Sequence, residues 1–222
     1  MLEKTLFAWS GGKDSAMALH VMKQRREFDI AALITTVTEG YDRISMHGVR
    51  EELLNRQAAS IGLPLEKIFI TQKATNEEYE EKMKTLLLRY KERGVFSVAF
   101  GDLFLEDLKK YREDNLAKIE MKGVFPIWKR DTAEIAREFI ALGFKAIIAC
   151  ADTEYLDASF AGREYNESFL SDIPKSVDPC GENGEFHSFV FDGPIFKDRI
   201  QFEKGECVLR DNRYMYCDLI PV

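Results

Sequence analysis

The sequence predicts an α/β fold: a Rossmann-like parallel sheet with helices on both faces, followed by a small C-terminal antiparallel β appendage. Three observations predict it. Short apolar runs alternate with amphipathic stretches as far as residue 152, and strand–helix alternation of this kind builds parallel sheets. A glycine-bearing turn, Ser10-Gly11-Gly12-Lys13-Asp14-Ser15, joins the first apolar run to the first helical pattern. From residue 153 the helical periodicity gives way to a polar stretch and then to short strands with turn punctuation. The expected division is therefore a nucleotide-binding α/β domain at 1–152 and a region of substrate-site loop and β-hairpins at 153–222.

Element by element, strands are expected at 5–10, 30–37, 67–72, 97–101, 124–127 and 145–151, all in the parallel sheet. Helices are expected between them near 14–26, 50–61, 76–93, 106–121 and 131–142. The last of these carries the clearest signals. Asp131 or Thr132 stands in the cap position, Ala136, Phe139 and Ile140 share one face, and Gly143 follows its end. Beyond residue 153, a helical patch near 163–170 precedes strands at Phe189-Val190-Phe191, Ile200-Gln201-Phe202, Cys207-Val208-Leu209 and Met215-Tyr216-Cys217. Gly193-Pro194, Lys204-Gly205 and Asp211-Asn212 punctuate them.

Composition narrows the function classes. The chain has 222 residues, 45% of them hydrophobic and 31% charged, which suits one substantial core. No apolar run approaches the ~20 residues of a membrane span, and no signal-peptide pattern opens the sequence, so the expected compartment is the cytoplasm. The four cysteines, Cys150, Cys180, Cys207 and Cys217, lack C-x-x-C spacing, which argues against zinc, an iron–sulfur cluster or a redox pair. Cys150 closes an apolar run and is expected in the core. A net charge of −7 gives no global attraction for a phosphate backbone, so nucleic acid is not an expected partner.

The turn at 10–15 carries the most chemistry. Adjacent glycines permit a tight turn and close approach of a ligand to the backbone. The free N–H groups and dipole of the following helix favour an anion. Lys13 adds a mobile charge, and Ser10 and Ser15 add hydroxyl donors. The expected ligand is a polyphosphate at the end of the first strand, where ligands of open parallel sheets bind. The spacing fits neither a Walker A loop nor a G-x-G-x-x-G fingerprint. SGGKDS instead resembles the PP-loop of the ATP pyrophosphatases, which cleave ATP between the α and β phosphates. The alternative is an ordinary glycine turn with first-turn helix residues. Asp14 is expected to cap the helix or to hold Mg²⁺, since it is otherwise repulsive beside phosphates.

Further clusters supply candidate partners. Asp178-Pro179-Cys180-Gly181-Glu182-Asn183-Gly184-Glu185-Phe186-His187-Ser188 brings carboxylates, glycines and a histidine into one short loop. Such carboxylates suit Mg²⁺ or an ammonium group and can orient a proton transfer; the plain reading is a solvated acidic turn. Gly101-Asp102 ends the run Val98-Ala99-Phe100, placing a carboxylate at the crevice of a parallel sheet. Arg112, on the helix that follows, is able to clamp a carboxylate or phosphate. Asp107 reads as a complement to that helix's dipole. His47 is a candidate adenine contact or base, with a local hydrogen bond as the plainer reading. His20 reads as packed or exposed on the first helix, and Asp152 as a further strand-end carboxylate.

SGGKDS, GDLFLEDLKKYRE and GENGEFHSFVFDGP occur together and in this order. In combination they resemble the diphthine–ammonia ligase family of PP-loop ATPases over nearly the whole chain. The resemblance implies an adenine nucleotide α-hydrolase fold, ATP and Mg²⁺ as cofactors, and ATP-dependent amidation. A carboxylate is adenylated, pyrophosphate leaves, and ammonia displaces AMP. On this reading Ser10, Gly11, Gly12, Lys13, Asp14, Ser15 and His47 are expected at the nucleotide and Asp14 at the metal. Asp14, Asp102, Glu182 and Glu185 are the implied catalytic residues, and Gly101, Asp102, Arg112, Asp178, Glu182, Glu185 and His187 face the substrate. In the ligase proper the carboxylate is diphthine on elongation factor 2. The late motif departs from the family pattern Glu-Gly-Gly-Glu-[Tyr/Phe]-Glu-Thr: Asn183 replaces a glycine, and His187-Ser188 replace Glu-Thr. This resembles a divergent branch linked to other substrates, such as a cobalamin-related amide. No glutaminase module is evident and residue 2 is Leu, so nitrogen is expected from free ammonia or a partner glutaminase. The competing readings are an RNA-thiolating PP-loop enzyme using Cys180 and an ATP sensor without turnover. A homodimer stays open.

Overall fold

The structure is a computed structural model that describes residues 2–40, 43–44, 48–71 and 74–222. Its first half is a parallel sheet built by β1 (Glu3–Ala8), β2 (Phe28–Thr38), β4 (Leu65–Ile70), β5 (Ser97–Ala99) and β6 (Lys122–Val124). The parallel strands lie in the order β4-β2-β1-β5-β6. A short strand the sequence reading missed, β3 (Arg43–Ile44), pairs antiparallel with Val37 and Thr38 of β2. The middle of β1 is buried on both faces, as a central parallel strand must be.

Helices cover both faces. α1 (Lys13–Arg25), α2 (Glu51–Ile61) and α5 (Thr132–Ala141) contribute to one apolar cluster, which contains Phe7, Leu19, Leu53 and Phe139. α3 (Asn76–Lys91) and α4 (Glu106–Ala117) contribute to a second, which contains Leu6, Ile34, Leu87, Val98 and Leu116. Local signals set the helix ends. The Thr75 hydroxyl accepts from the Glu78 N–H at the start of α3, and the Asp131 carboxylate accepts from the Glu134 N–H at the start of α5. Gly143 follows α5 with φ +84°, the left-handed conformation expected past a helix end.

The remaining strands form a second sheet in the order β8-β7-β10-β9, antiparallel throughout. They are β7 (Lys145–Asp152), β8 (Phe186–Asp192), β9 (Phe202–Arg210) and β10 (Tyr214–Pro221). A single 3₁₀ turn (Ala158–Phe160) and the short helix α6 (Glu167–Asp172) lie between β7 and β8. This corrects one expectation: residues 145–151 are not the last parallel strand but a central strand of the antiparallel sheet. An apolar run reports burial on both faces and says nothing of strand direction. Shared burial joins the two sheets, because Ile147, Phe189 and Val190 belong to the same apolar cluster as α1 and α2.

Topology fixes where a ligand can sit. The chain runs outward from β1 through β2 to β4, then returns to the other side of β1 with β5 and β6. The order reverses between β1 and β5, and the crevice at their carboxyl ends is the expected binding position.

Candidate functional site

Two segments flank that crevice: residues 10–15 after β1 and Gly101-Asp102 after β5. Gly11 has φ +78°, a conformation open to glycine, and a Cβ there would lie 2.8 Å from Gln57 Oε1. Gly101 is required by close approach, since its Cβ would lie 2.8 Å from the Ser15 backbone nitrogen and 2.9 Å from the Asp14 carbonyl carbon. The two segments therefore touch backbone to backbone. Gly12, the residue before α1, has no side chain to cap the helix, so its N-terminus opens at the crevice, with the Gly12 and Lys13 N–H groups held by the Ser10 and Ser188 hydroxyls. Ser10 Oγ accepts from the Gly12 N–H at 3.2 Å and lies 3.1 Å from Ser15 Oγ, so both hydroxyls line the loop's inner side.

The second sheet supplies the third wall. The Lys13 N–H donates to Ser188 Oγ at 3.1 Å, and the Val190 N–H donates to the Gly11 carbonyl at 2.9 Å. Gln57, fully buried on α2, completes the attachment. Its Oε1 accepts from Trp9 Nε1 at 2.9 Å, and its Nε2 donates to the carbonyls of Gly11 at 3.0 Å and Val190 at 2.6 Å. One amide thus ties the end of β1, the glycine turn and β8 together.

Lys13 is buried between the turn and the late loop. Its ammonium lies 2.8 Å from both Asp14 oxygens, donates to the Cys180 carbonyl, and stands over the Phe186 ring at 5.4 Å. Burial opposes its charge, but the Asp14 carboxylate raises its pKa above the ordinary lysine value. Burial likewise pushes the Asp14 pKa up against the pull of Lys13. Asp14 does not cap α1; its carboxylate holds Lys13.

The late loop brings Glu182 to the crevice. Glu182 Oε1 accepts from the Leu103 N–H at 2.9 Å, joining the loop to the segment after β5. Burial raises the Glu182 pKa to about 7, a shift reduced by the Leu103 hydrogen bond. His187 is shifted the other way, to about 4, by burial and then by the Lys13 charge, so it is neutral at pH 7. Asp102 forms an ion pair with Arg112, with Oδ2 2.7 Å from Nε. Burial raises the Asp102 pKa in spite of Arg112. The Arg112 guanidinium lies 4.4 Å above the Phe100 ring.

These walls enclose a cavity of about 880 Å³. Of the residues expected at a site, Ser10, Gly12, Lys13, Asp14 and Ser15 line it from one side. Gly101, Asp102, Arg112, Glu182 and His187 line it from the other. Gly11 is buried behind the turn on Gln57. Asp178 and Glu185 instead hold the late loop's own shape. Glu185 is buried and accepts from the backbone N–H groups of Asp178 and Asn183 and from Asn183 Nδ2, each at 3.0 Å. Asp178 accepts from the Cys180 N–H at 2.8 Å and from Thr132 Oγ1 at 2.7 Å. His47 lies outside the described residues.

Other candidates fall elsewhere. Asp152 is buried in an ion pair with Arg213 at 2.6 Å on the second sheet. His20 packs edge-on against Phe144 at 5.8 Å. Cys150 is buried in the core. The Cys180 thiol donates to the Thr132 carbonyl at 3.3 Å, and burial pushes its pKa well up, which disfavours a thiolate. Residues that sequence reasoning missed are Gln57, Trp9 and Ser188, which hold the turn, and Thr35, Thr36 and Tyr79, which line the cavity.

Among the described residues, no three His, Cys, Asp or Glu side chains gather to hold a metal ion, and no helix is long and apolar enough to cross a membrane. The cavity carboxylate Asp14 does suit Mg²⁺, which commonly takes one or two carboxylates, several waters and substrate phosphates rather than an all-protein cage.

Comparison with known proteins identifies the family. Family models described as the diphthamide synthase N-terminal domain and the diphthamide synthase C-terminal domain match residues 3–123 and 131–218. The chain is similar to the diphthine–ammonia ligase of Mus musculus, with 28% identity over 178 residues, which cover 78% of this chain and 66% of the mouse protein. It is similar to that of Danio rerio, with 26% identity over 230 residues, 91% of this chain and 88% of the relative. Against that of Schizosaccharomyces pombe the identity is 27% over 228 residues, 92% of this chain and 37% of the relative. The chain thus spans just under two thirds of the mouse protein and a smaller part of the fission-yeast one. With both family models matched in order over most of its length, the chain belongs to the diphthamide synthase family.

Proposed function

We propose that the chain is an ATP-dependent carbon–nitrogen ligase that converts a carboxylate into an amide. The carboxylate attacks the α-phosphate of ATP, giving an acyl adenylate and pyrophosphate. Ammonia then attacks the acyl carbon, giving the amide, AMP and a proton. The observation that carries this reading is the meeting, in one cavity, of the glycine turn and α1 N-terminus with Glu182 from the late loop. The first suits phosphates; the second suits an attacking amine.

The chain's own groups divide the work. The turn at 10–15 and the α1 N-terminus bind the pyrophosphate half of ATP, and Lys13 offsets its charge. Mg²⁺, held by Asp14 together with the phosphates, would supply further charge neutralisation. Glu182, with a pKa of about 7, takes a proton from ammonium or from the attacking amine. Asp102 holds Arg112, whose remaining donors orient the acyl group. Glu185 and Asp178 act through the loop they fix, rather than on the substrate.

The names of the relatives point to diphthine as the carboxylate, and the family resemblance places it on elongation factor 2. Asn183, where the late motif departs from the family pattern, bonds Glu185 and so preserves the loop. A thiolation reading gains no support from Cys180, whose thiol is buried and hydrogen-bonded. The test incubates the chain with ATP, Mg²⁺, ammonium and diphthine-bearing elongation factor 2. AMP, pyrophosphate and amide in equal amounts support the proposal; ADP and phosphate overturn it.

A further inference from the structure

A second cavity, of about 360 Å³, lies between α3 and α4 on the face of the sheet at β5. It is a groove open to solvent, with exposed Glu81, Lys84, Tyr111 and Lys118 on its outer side and buried apolar residues beneath. It shares Tyr79, Met83, Phe100 and Arg112 with the crevice already described. These four side chains, Arg112 among them, form a wall common to the two cavities.

The second cavity differs in chemistry from the first. Its floor is apolar, formed by buried Leu87, Val98, Leu116 and Ile119. No glycine turn lines it, and its three carboxylates are matched by three cationic side chains, so it has neither the donors nor the net charge of a phosphate site. Tyr79 and Tyr111 put hydroxyls on its walls, and exposed Lys84 and Lys118 stand at its rim. Such a space fits a slender, apolar-bodied chain with a polar end.

Arg112 supplies the polar end's partner. Asp102 is met by Nε and one Nη, and a guanidinium has five N–H donors in a planar fork. Donors are left over for a second carboxylate at the wall the two cavities share.

We infer that the cavity between α3 and α4 receives the side chain of the carboxylate substrate end-on, with its carboxylate on Arg112 at the wall shared with the nucleotide cavity. The inference rests on the ligase reading for the identity of the carboxylate. It assigns the entry side as well: a side chain borne on a protein enters past Lys84 and Lys118 while the nucleotide occupies the other cavity.

Asn115 and Lys84 line opposite helices of this cavity, away from the glycine turn. Asn115→Trp, at a half-buried position, and, independently, Lys84→Trp, at an exposed one, fill it from either helix, and circular dichroism checks that each variant folds. The probes are diphthine-bearing elongation factor 2 and ATP. Each variant is expected to raise KM for the protein substrate by about tenfold or more while holding the Kd for ATP within about twofold. In parallel, Asn115→Cys is labelled with a maleimide, and the rate at that position is read by peptide mass. Protection by the protein substrate, and none by ATP, is the expected result. AMP formation with an unchanged KM in both tryptophan variants overturns the inference and leaves the ligase reading standing. Protection without AMP formation supports the cavity assignment and overturns the ligase reading. Neither protection nor AMP formation overturns both.

Discussion

The attachment of the glycine turn to the second sheet depends on Gln57, and Gln57→Leu tests it. The substitution preserves approximate length and removes an acceptor and a donor group. Trp9 Nε1 loses its acceptor and the Val190 carbonyl loses the 2.6 Å bond, while the Gly11 carbonyl keeps the Val190 N–H. Two buried polar groups are thus left unpaired, each at a cost of ~1–3 kcal/mol, which sums to ~2–6 kcal/mol. For a chain of this size, each kcal/mol shifts Tm by ~2–4 °C, so a fall of ~4–24 °C is expected. Urea unfolding gives the free energy and calorimetry with ATP gives the affinity, which should weaken as the turn loosens. A stability change below ~0.5 kcal/mol, the range of an ordinary surface substitution, with unchanged ATP affinity would refute the reasoning.

Three further outcomes are expected. Gly101→Ala drives a Cβ to 2.8 Å from the Ser15 nitrogen. Overpacking of ~1–3 kcal/mol should weaken ATP binding by about tenfold in calorimetry. Glu182 should give an activity that rises with pH through about 7, as its carboxyl deprotonates. Glu182→Gln should remove that limb and lower AMP release by ~10². The same raised pKa means that stability from this carboxyl is full below 4.5 and lost as pH rises through about 7, and urea midpoints of the two proteins should converge at low pH. Cys180→Ser should leave AMP formation within about twofold of the unaltered chain; loss of turnover would restore the thiolation reading.

Much of this site is legible in the sequence because its chemistry is local. The turn at 10–15 announces itself between a strand and a helix, and Gly101-Asp102 falls at the end of a readable apolar run. Asp131 and Gly143 bracket α5 as their residue types predict. What escapes is long-range. Gln57 is an ordinary residue on an amphipathic helix until folding places it against Trp9 and Val190. Residues 145–151 read as a parallel strand because burial leaves no mark of direction. Glu182 and Glu185 look alike, each directly after a glycine, yet one faces the cavity and the other turns inward to hold three N–H groups. The cavity between α3 and α4 has no motif at all, since it arises from how two helices sit on the sheet.

Transfer of an isotope from the carboxylate tests adenylation most directly. If the substrate carboxylate carries ¹⁸O on both oxygens and is turned over with unlabelled ATP and ammonium, attack on the α-phosphate moves one labelled oxygen into AMP. The account predicts AMP with a single ¹⁸O and unlabelled pyrophosphate. Label in inorganic phosphate alongside ADP, or AMP free of label, would contradict it.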